Sequence, residues 1–228
     1  MAQISYAVEN FLTENEIGAV LSHYDTIPYS KEYSSPNNRR KMMNYDDPNS
    51  NFFKELFDPK IKLLYPTGKV SACTFTDWHH PVEIHTDGWQ PHEDNTRKLG
   101  YAILVPLRIT PSDVLTSTII FQQRYIGPTV TLKHFTQSDP WNISEYINSN
   151  DPRIENKSQK PLDIGFYEKH LKHLQDPQII RNLSIDGVYD WSIASAIVWD
   201  RSDFHTSSSF VNKLKNKLHA IFFVTLDA

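Results

Sequence analysis

Residues 81–93, PVEIHTDGWQPHE, hold one His–Asp pair and open a second: His85 with Asp87, then His92 with Asp94. A chain with 10 His and 17 Asp in 228 residues offers about one such spacing by chance, so spacing alone selects neither. Local backbone does. Val82 and Ile84 alternate with Glu83 and His85, the period of a strand with one apolar face, and Thr86-Asp87-Gly88 reads as the turn that ends it. His92 instead follows Pro91 inside the polar run QPHEDNTRK. A strand end holds side chains to the tolerance a metal site needs, and a polar loop does not. His85 and Asp87 are therefore the candidates, with His92 and Asp94 as bystanders.

Outward from this strand the chain keeps a period near two in short runs bounded by Pro, Gly, Asp and Ser. They are KVSACTFTDW (69–78), YAILVPLR (101–108), STIIFQQRY (117–125), TVTLKHF (129–135), IASAIVWD (193–200) and KLHAIFFVTL (217–226). So many short strands predict a sandwich or jelly roll, mainly β with flanking helices. The flanks come first: Thr13 and Glu16 form a capping box ahead of Ile17, Val20 and Leu21, and NFFKELF (51–57) is a second short helix. The stretch between them, with Arg39-Arg40-Lys41, reads as a solvated polar loop. One domain is expected over 1–228, with a helical N-terminal region about 1–60. An insertion spans about 136–190, whose LDIGFYEKHLKHLQ is helix-like; about 55 residues barely support a core of their own. Such a segment is expected to wall or cover a substrate site, or to plug the barrel end.

Composition removes several classes. A formal net charge of -4 gives no electrostatic footprint for nucleic acid or an anionic membrane. No run approaches the roughly 18 apolar residues of a membrane helix, and AIFFV from Ala220 suits a buried strand. Cys73 is the single cysteine, so no internal disulfide forms, and MAQISYAVENFL lacks the basic and apolar segments of a secretory signal. A cytoplasmic location is the expectation, and the sequons at Asn142, Asn156 and Asn182 are then incidental.

A third metal ligand stands far along the chain in AIVWDRSDFHTSS: a buried strand, a polar turn, then His205. Two imidazoles and one carboxylate on one face leave the opposite coordination positions open, the arrangement associated with non-haem Fe(II) oxygenases. At this point residues 70–226 resemble the 2-oxoglutarate and Fe(II)-dependent oxygenases, in motif (His-x-Asp, a long gap, a distal His) and in strand order. The resemblance implies a double-stranded β-helix (cupin-like) and Fe(II) on His85, Asp87 and His205. Hydroxylation would be coupled to conversion of oxoglutarate and O2 to succinate and CO2. The intact Asp87 argues against the related halogenases, which carry a small residue there.

The family also places a basic residue on the last core strand to meet the far carboxylate of oxoglutarate. Lys213, Lys215 and Lys217 share one parity, so alternation cannot choose among them; depth favours Lys217, on a face with His219, Ile221 and Phe223. Lysine departs from the arginine of many relatives, giving a point charge in place of a two-pronged grip. Other candidates have plainer readings: His170 and His173 with Glu168 as an exposed helix face, His79 and His80 as loop, Trp89 and Trp141 as packing, Lys213 and Lys215 as solvated. Two rival functions remain. A cupin-like metal enzyme without oxoglutarate would not need Lys217, and a non-catalytic jelly-roll binding module would need neither Lys217 nor the metal. The prime substrate, a small molecule or a peptide, and the oligomeric state are not written in the sequence.

Overall fold

The computed structural model describes residues 5–28, 34, 37–43, 45, 50–88, 100–133, 145–160 and 162–226. His92, Asp94, Trp89, Trp141 and Asn142 lie outside the described residues. The elements run β1 (Tyr6–Val8), α1 (Glu14–Thr26), β2 (Asn38–Met43), α2 (Asn51–Leu64), β3 (Gly68–Trp78), β4 (Gly100–Thr110), β5 (Ser117–Tyr125), β6 (Val130–Leu132), β7 (Glu145–Ile147) and β8 (Ile154–Glu155). Short helical turns at 164–180 follow, then β9 (Ile185–Asp190), β10 (Ala196–Asp200), β11 (Asp203–Ser207) and β12 (Asn216–Leu226).

Two sheets face each other. The larger has six strands in the order β1-β10-β4-β12-β3-β2, antiparallel throughout. The smaller is built on β11-β5 with β8 and β9 on the far side of β5. Residues 84–87 join β11 to β6. His85 and His205 exchange both backbone hydrogen bonds at 2.9–3.0 Å. On the other side, Thr86 N–H donates to the Val130 carbonyl and Leu132 N–H to the Ile84 carbonyl. This is a double-stranded β-helix, a mainly β jelly roll with flanking helices.

Each sheet face has its own core. Behind the large sheet, α1 and α2 pack Val20, Tyr24, Phe53, Phe57 and Ile61 against Phe75, Leu218, Ala220, Phe222 and Val224. Fully buried side chains of this size stabilise by roughly 1.5–3 kcal/mol each. The capping box that starts α1 is present on both sides, Glu16 N–H to Thr13 Oγ1 and Thr13 N–H to Glu16 Oε2. Between the sheets lie Leu104, Ile120, Trp191, Ile197, Trp199 and Ile221. Outside the small sheet, Tyr167, Leu171, Ile179, Ile180 and Leu183 cover Ile84, Ile119, Phe121 and Phe204.

One sequence expectation changes here, and two others gain detail. The run NRRKMM is the edge strand β2, not a solvated loop, because Lys41 turns behind the sheet, donating to the Tyr24 carbonyl at 2.5 Å with its ammonium 3.8 Å from the Tyr24 ring centroid. The described part of the segment placed at 136–190 contributes β8 and β9 to the small sheet, pairs β7 with β6, and packs on the outer face of that sheet. His205 follows the polar turn, as expected, and stands on a further strand, β11, that was not among the runs read as strands. Among the described residues no helix is long and apolar enough to cross a membrane.

Candidate metal centre and buried lysine

Directly opposed residues of an antiparallel pair point to the same side of a sheet. His85 and His205 are such a pair, and their rings meet with centroids 4.2 Å apart. Asp87, two residues on from His85, returns to that side, with Oδ2 3.6 Å from His205 Nε2. One ligand atom from each of the three lies within 4.8 Å of the others.

The tautomers follow from the backbone. His85 Nδ1 is 2.9 Å from the Glu83 carbonyl and His205 Nδ1 is 3.2 Å from the Asp203 carbonyl. A carbonyl only accepts, so both Nδ1 atoms carry the proton and both Nε2 atoms are left with a lone pair. Burial, and the neighbouring His205 ring, push the His85 pKa down to about 4, which keeps that imidazole neutral at pH 7. Asp87 Oδ2 is buried with no hydrogen-bond partner.

The arm that carries His85 and Asp87 is tied down from β10 and β11. Asp87 N–H donates to the Arg201 carbonyl at 3.0 Å, while the Arg201 guanidinium donates to the carbonyls of Asp87 and Gly88. Gly88 sits at φ +42, and a Cβ there would lie 2.0 Å from the Thr129 nitrogen, so only glycine lets the arm turn at this point. The Trp199 ring packs 4.9 Å from His205 and limits its rotation.

From the metal-ligand cluster a cavity of about 120 Å³ runs between the sheets. Lys217, His219, Ile221 and Phe223 line it from β12, with Thr76 and Trp78 from β3 and Trp191 at the end of β9. Lys217 is only 2% exposed. Its ammonium donates to Thr116 Oγ1 at 3.3 Å and lies 4.0 Å from the Trp191 ring centroid and 4.8 Å from that of Phe210. No acidic side chain among the described residues answers it, and burial pushes its pKa down to about 7. Lys213 and Lys215 are exposed in the turn before the strand. His219 Nδ1, two residues along, is also buried without a partner.

Other sequence candidates fall elsewhere. His79 and His80 lie in the loop after β3, and His170 stacks on Phe166. His173 does not stand on an exposed face: its Nε2 donates to the Val82 carbonyl at 3.1 Å, and burial lowers its pKa to about 4. Arg40, Arg201, Thr116 and Trp191 escaped the sequence reading. Their only local signals were alternation in NRRKMM and the polar turn DRSD, since their role comes from contacts across the barrel.

No protein-family model matches the chain, and no curated protein matches it in sequence. Solved structures do. The epimerase SnoN, in complex with Fe3+, alpha ketoglutarate and nogalamycin RO, superposes with a TM-score of 0.56 at 12% identity, over 98% of this chain and 79% of that one. The non-heme alpha ketoglutarate dependent carbocyclase SnoK from nogalamycin biosynthesis gives 0.54 at 10% identity, over 98% and 80%. HygX from Streptomyces hygroscopicus, with nickel, 2-oxoglutarate and hygromycin B bound, gives 0.52 at 10% identity, over 97% and 82%. The chain therefore has the double-stranded β-helix fold of the 2-oxoglutarate and Fe(II)-dependent oxygenases and carries on it a His-Asp-His candidate metal centre.

Proposed function

We propose that this chain is a 2-oxoglutarate- and Fe(II)-dependent dioxygenase that hydroxylates an unidentified substrate. One observation carries the reading: a cavity with three converging metal-ligand atoms at one end and a buried ammonium without a carboxylate at the other. A cupin-like metal enzyme without oxoglutarate has no use for the second end, because an unpaired buried cation costs stability unless a ligand answers it.

His85, Asp87 and His205 would hold the iron, and Lys217, its ammonium hydrogen-bonded to Thr116, would receive the far carboxylate of oxoglutarate. Bound there, iron and oxoglutarate would supply the oxidising chemistry, in which O2 is divided between succinate, formed with CO2 from oxoglutarate, and a C–H bond of the substrate. The protein's part is to place and to exclude. The Nδ1–carbonyl bonds fix both imidazoles with their lone pairs inward. Arg201 holds the Asp87 backbone, and Trp78, Trp191, Trp199 and Phe223 give the cavity an apolar stretch of wall.

Hydroxylation is the proposed outcome. The same scaffold carries proteins named as an epimerase and a carbocyclase, so the fate of the substrate carbon depends on what binds above the metal. The test is oxoglutarate-dependent succinate formation by the iron-loaded protein, with product mass read beside it. A gain of one oxygen supports hydroxylation, and a gain of none assigns another oxidative outcome. Failure of the anaerobic iron protein to bind oxoglutarate would remove the reading.

A further inference from the structure

Arg40 is a cavity residue that the proposed chemistry leaves unused. It projects from the edge strand β2, in register with Thr76 of β3, and joins Thr74, Thr76 and Trp78 in the cavity wall. Its guanidinium lies 5.7 Å from the Trp78 ring centroid, and Nε is buried without a hydrogen-bond partner. The acid that acts on it is Asp87, through space and not as an ion pair. Once Asp87 is committed to a dication, Arg40 has no counter-charge among the described residues.

Charge balance within the lining sharpens this. Among the described residues, its formal charges are Asp87 on one side and Arg40 and Lys217 on the other. A divalent metal adds two positive charges and oxoglutarate removes two, which leaves a single positive charge with a desolvated guanidinium to carry it. Resting on the oxygenase reading, we infer that Arg40 anchors an anionic oxygen group, carboxylate or phosphate, of the prime substrate. The planar fork of arginine suits both groups, and the indole of Trp78 beneath it offers a flat apolar surface for the carbon skeleton next to the anion. Arg40 thereby selects a substrate that is acidic at one end and apolar beside it.

The test uses three probes of one shape, benzoate, phenyl phosphate and benzamide. Each is titrated calorimetrically into the anaerobic Fe(II) protein with oxoglutarate saturating, so that Lys217 is occupied. Binding of oxoglutarate itself is measured first: its absence refutes the oxygenase reading, whereas its presence lets Arg40 be judged alone. At least one of the two anions is expected to bind tenfold or more tighter than benzamide, the two anionic arms reporting whether carboxylate or phosphate is preferred. Arg40→Gln should erase that preference while changing oxoglutarate affinity less than about twofold, and Arg40→Lys should keep part of it. Equal binding of all three probes by the wild type overturns the inference, as does a preference that survives Arg40→Gln. A second measurement guards against a misfolded variant. The ligand-free Arg40→Met protein should melt at or above the wild-type temperature, since it loses an unpaired buried charge. A lower melting temperature would make Arg40 a structural residue and reject the anchor.

Discussion

The two ends of the cavity are unsatisfied in opposite senses. Among the described residues, three acceptors meet at the His85–Asp87–His205 end with no donor between them, and at the Lys217 end a donor lies buried with no anion to receive it. A fold selected only for stability would have joined or removed both. The difference teaches that what is missing at a buried polar group specifies its ligand: a cation at one end, an anion at the other.

The largest effect should come from breaking the acceptor end. Asp87→Ala, His85→Ala or His205→Ala should lower iron affinity by roughly two orders of magnitude or more, since outer-shell changes alone typically cost 10–100-fold. Equilibrium dialysis with Fe(II) under anaerobic conditions measures this, and Asp94→Ala in the rival pair should retain iron. Loss of iron in Asp94→Ala with retention in Asp87→Ala would reverse the assignment.

Breaking the donor end should leave the metal in place. Lys217→Ala is expected to bind iron normally and to lose on the order of 2–5 kcal/mol of oxoglutarate binding, thirtyfold or more, as for one partner of a buried charge pair. Lys213→Ala, exposed in the turn, should match wild type. An unchanged oxoglutarate titration in Lys217→Ala would pass the role to another residue.

Why the acceptor end was legible and the rest less so is a matter of range. His85 and Asp87 stand out by local alternation and a turn, although the strand read at 82–85 is in the fold only an isolated β-bridge at His85, and alternation along KLHAIFFVTL places Lys217, His219, Ile221 and Phe223 on the cavity face. The capping box of α1 is equally local. The strand of His205 was not among the runs read as strands, because DFHTS is half polar, although all five residues are buried between β5 and the His85 arm. The charges of NRRKMM concealed an edge strand whose Lys41 finds its partner on α1, a contact invisible in the linear chain. His173 looked like one face of an exposed helix until the Val82 carbonyl gave it a reason to turn inward.

Acidity separates the two ends in a single titration. The Lys217 pKa is about 7 in the folded chain and that of an unfolded lysine is about 10.4, so between these values the unfolded state binds the extra proton. Stability should therefore rise with pH across this window, by at most about 1.4 kcal/mol per unit from this residue, and the penalty is complete below pH 7. If the ammonium receives oxoglutarate as proposed, oxoglutarate affinity should fall above pH 7, approaching tenfold per unit, while the protein itself becomes more stable. Lys217→Met should abolish both slopes. Melting curves and calorimetry across pH 6–9 read them together, and parallel rather than opposing trends would contradict a buried lysine held for an anion.

The smallest expected effect tests how the ammonium waits for its ligand. Thr116 Oγ1 is its hydrogen-bond acceptor, and that hydroxyl lies 3.4 Å from Ser208 Oγ in the same buried corner. Thr116→Val keeps the shape and removes the acceptor. A lost hydrogen bond to a charged group is worth about 1.5–3 kcal/mol when its partner stays buried, but the contact is long at 3.3 Å, which places the loss at or below the low end. The variant should melt on the order of 2–4 °C lower for each kcal/mol lost, as expected for a chain of this length. Its oxoglutarate affinity at pH 6 should change by less than about threefold, because the incoming carboxylate replaces the hydroxyl as the principal partner of the ammonium. With that acceptor gone, the ammonium loses its proton more readily, and the pH at which oxoglutarate binding begins to fail should move downward. A large loss of affinity at pH 6 would show instead that Thr116 grips oxoglutarate directly, making the donor end a pair of residues and not one charge.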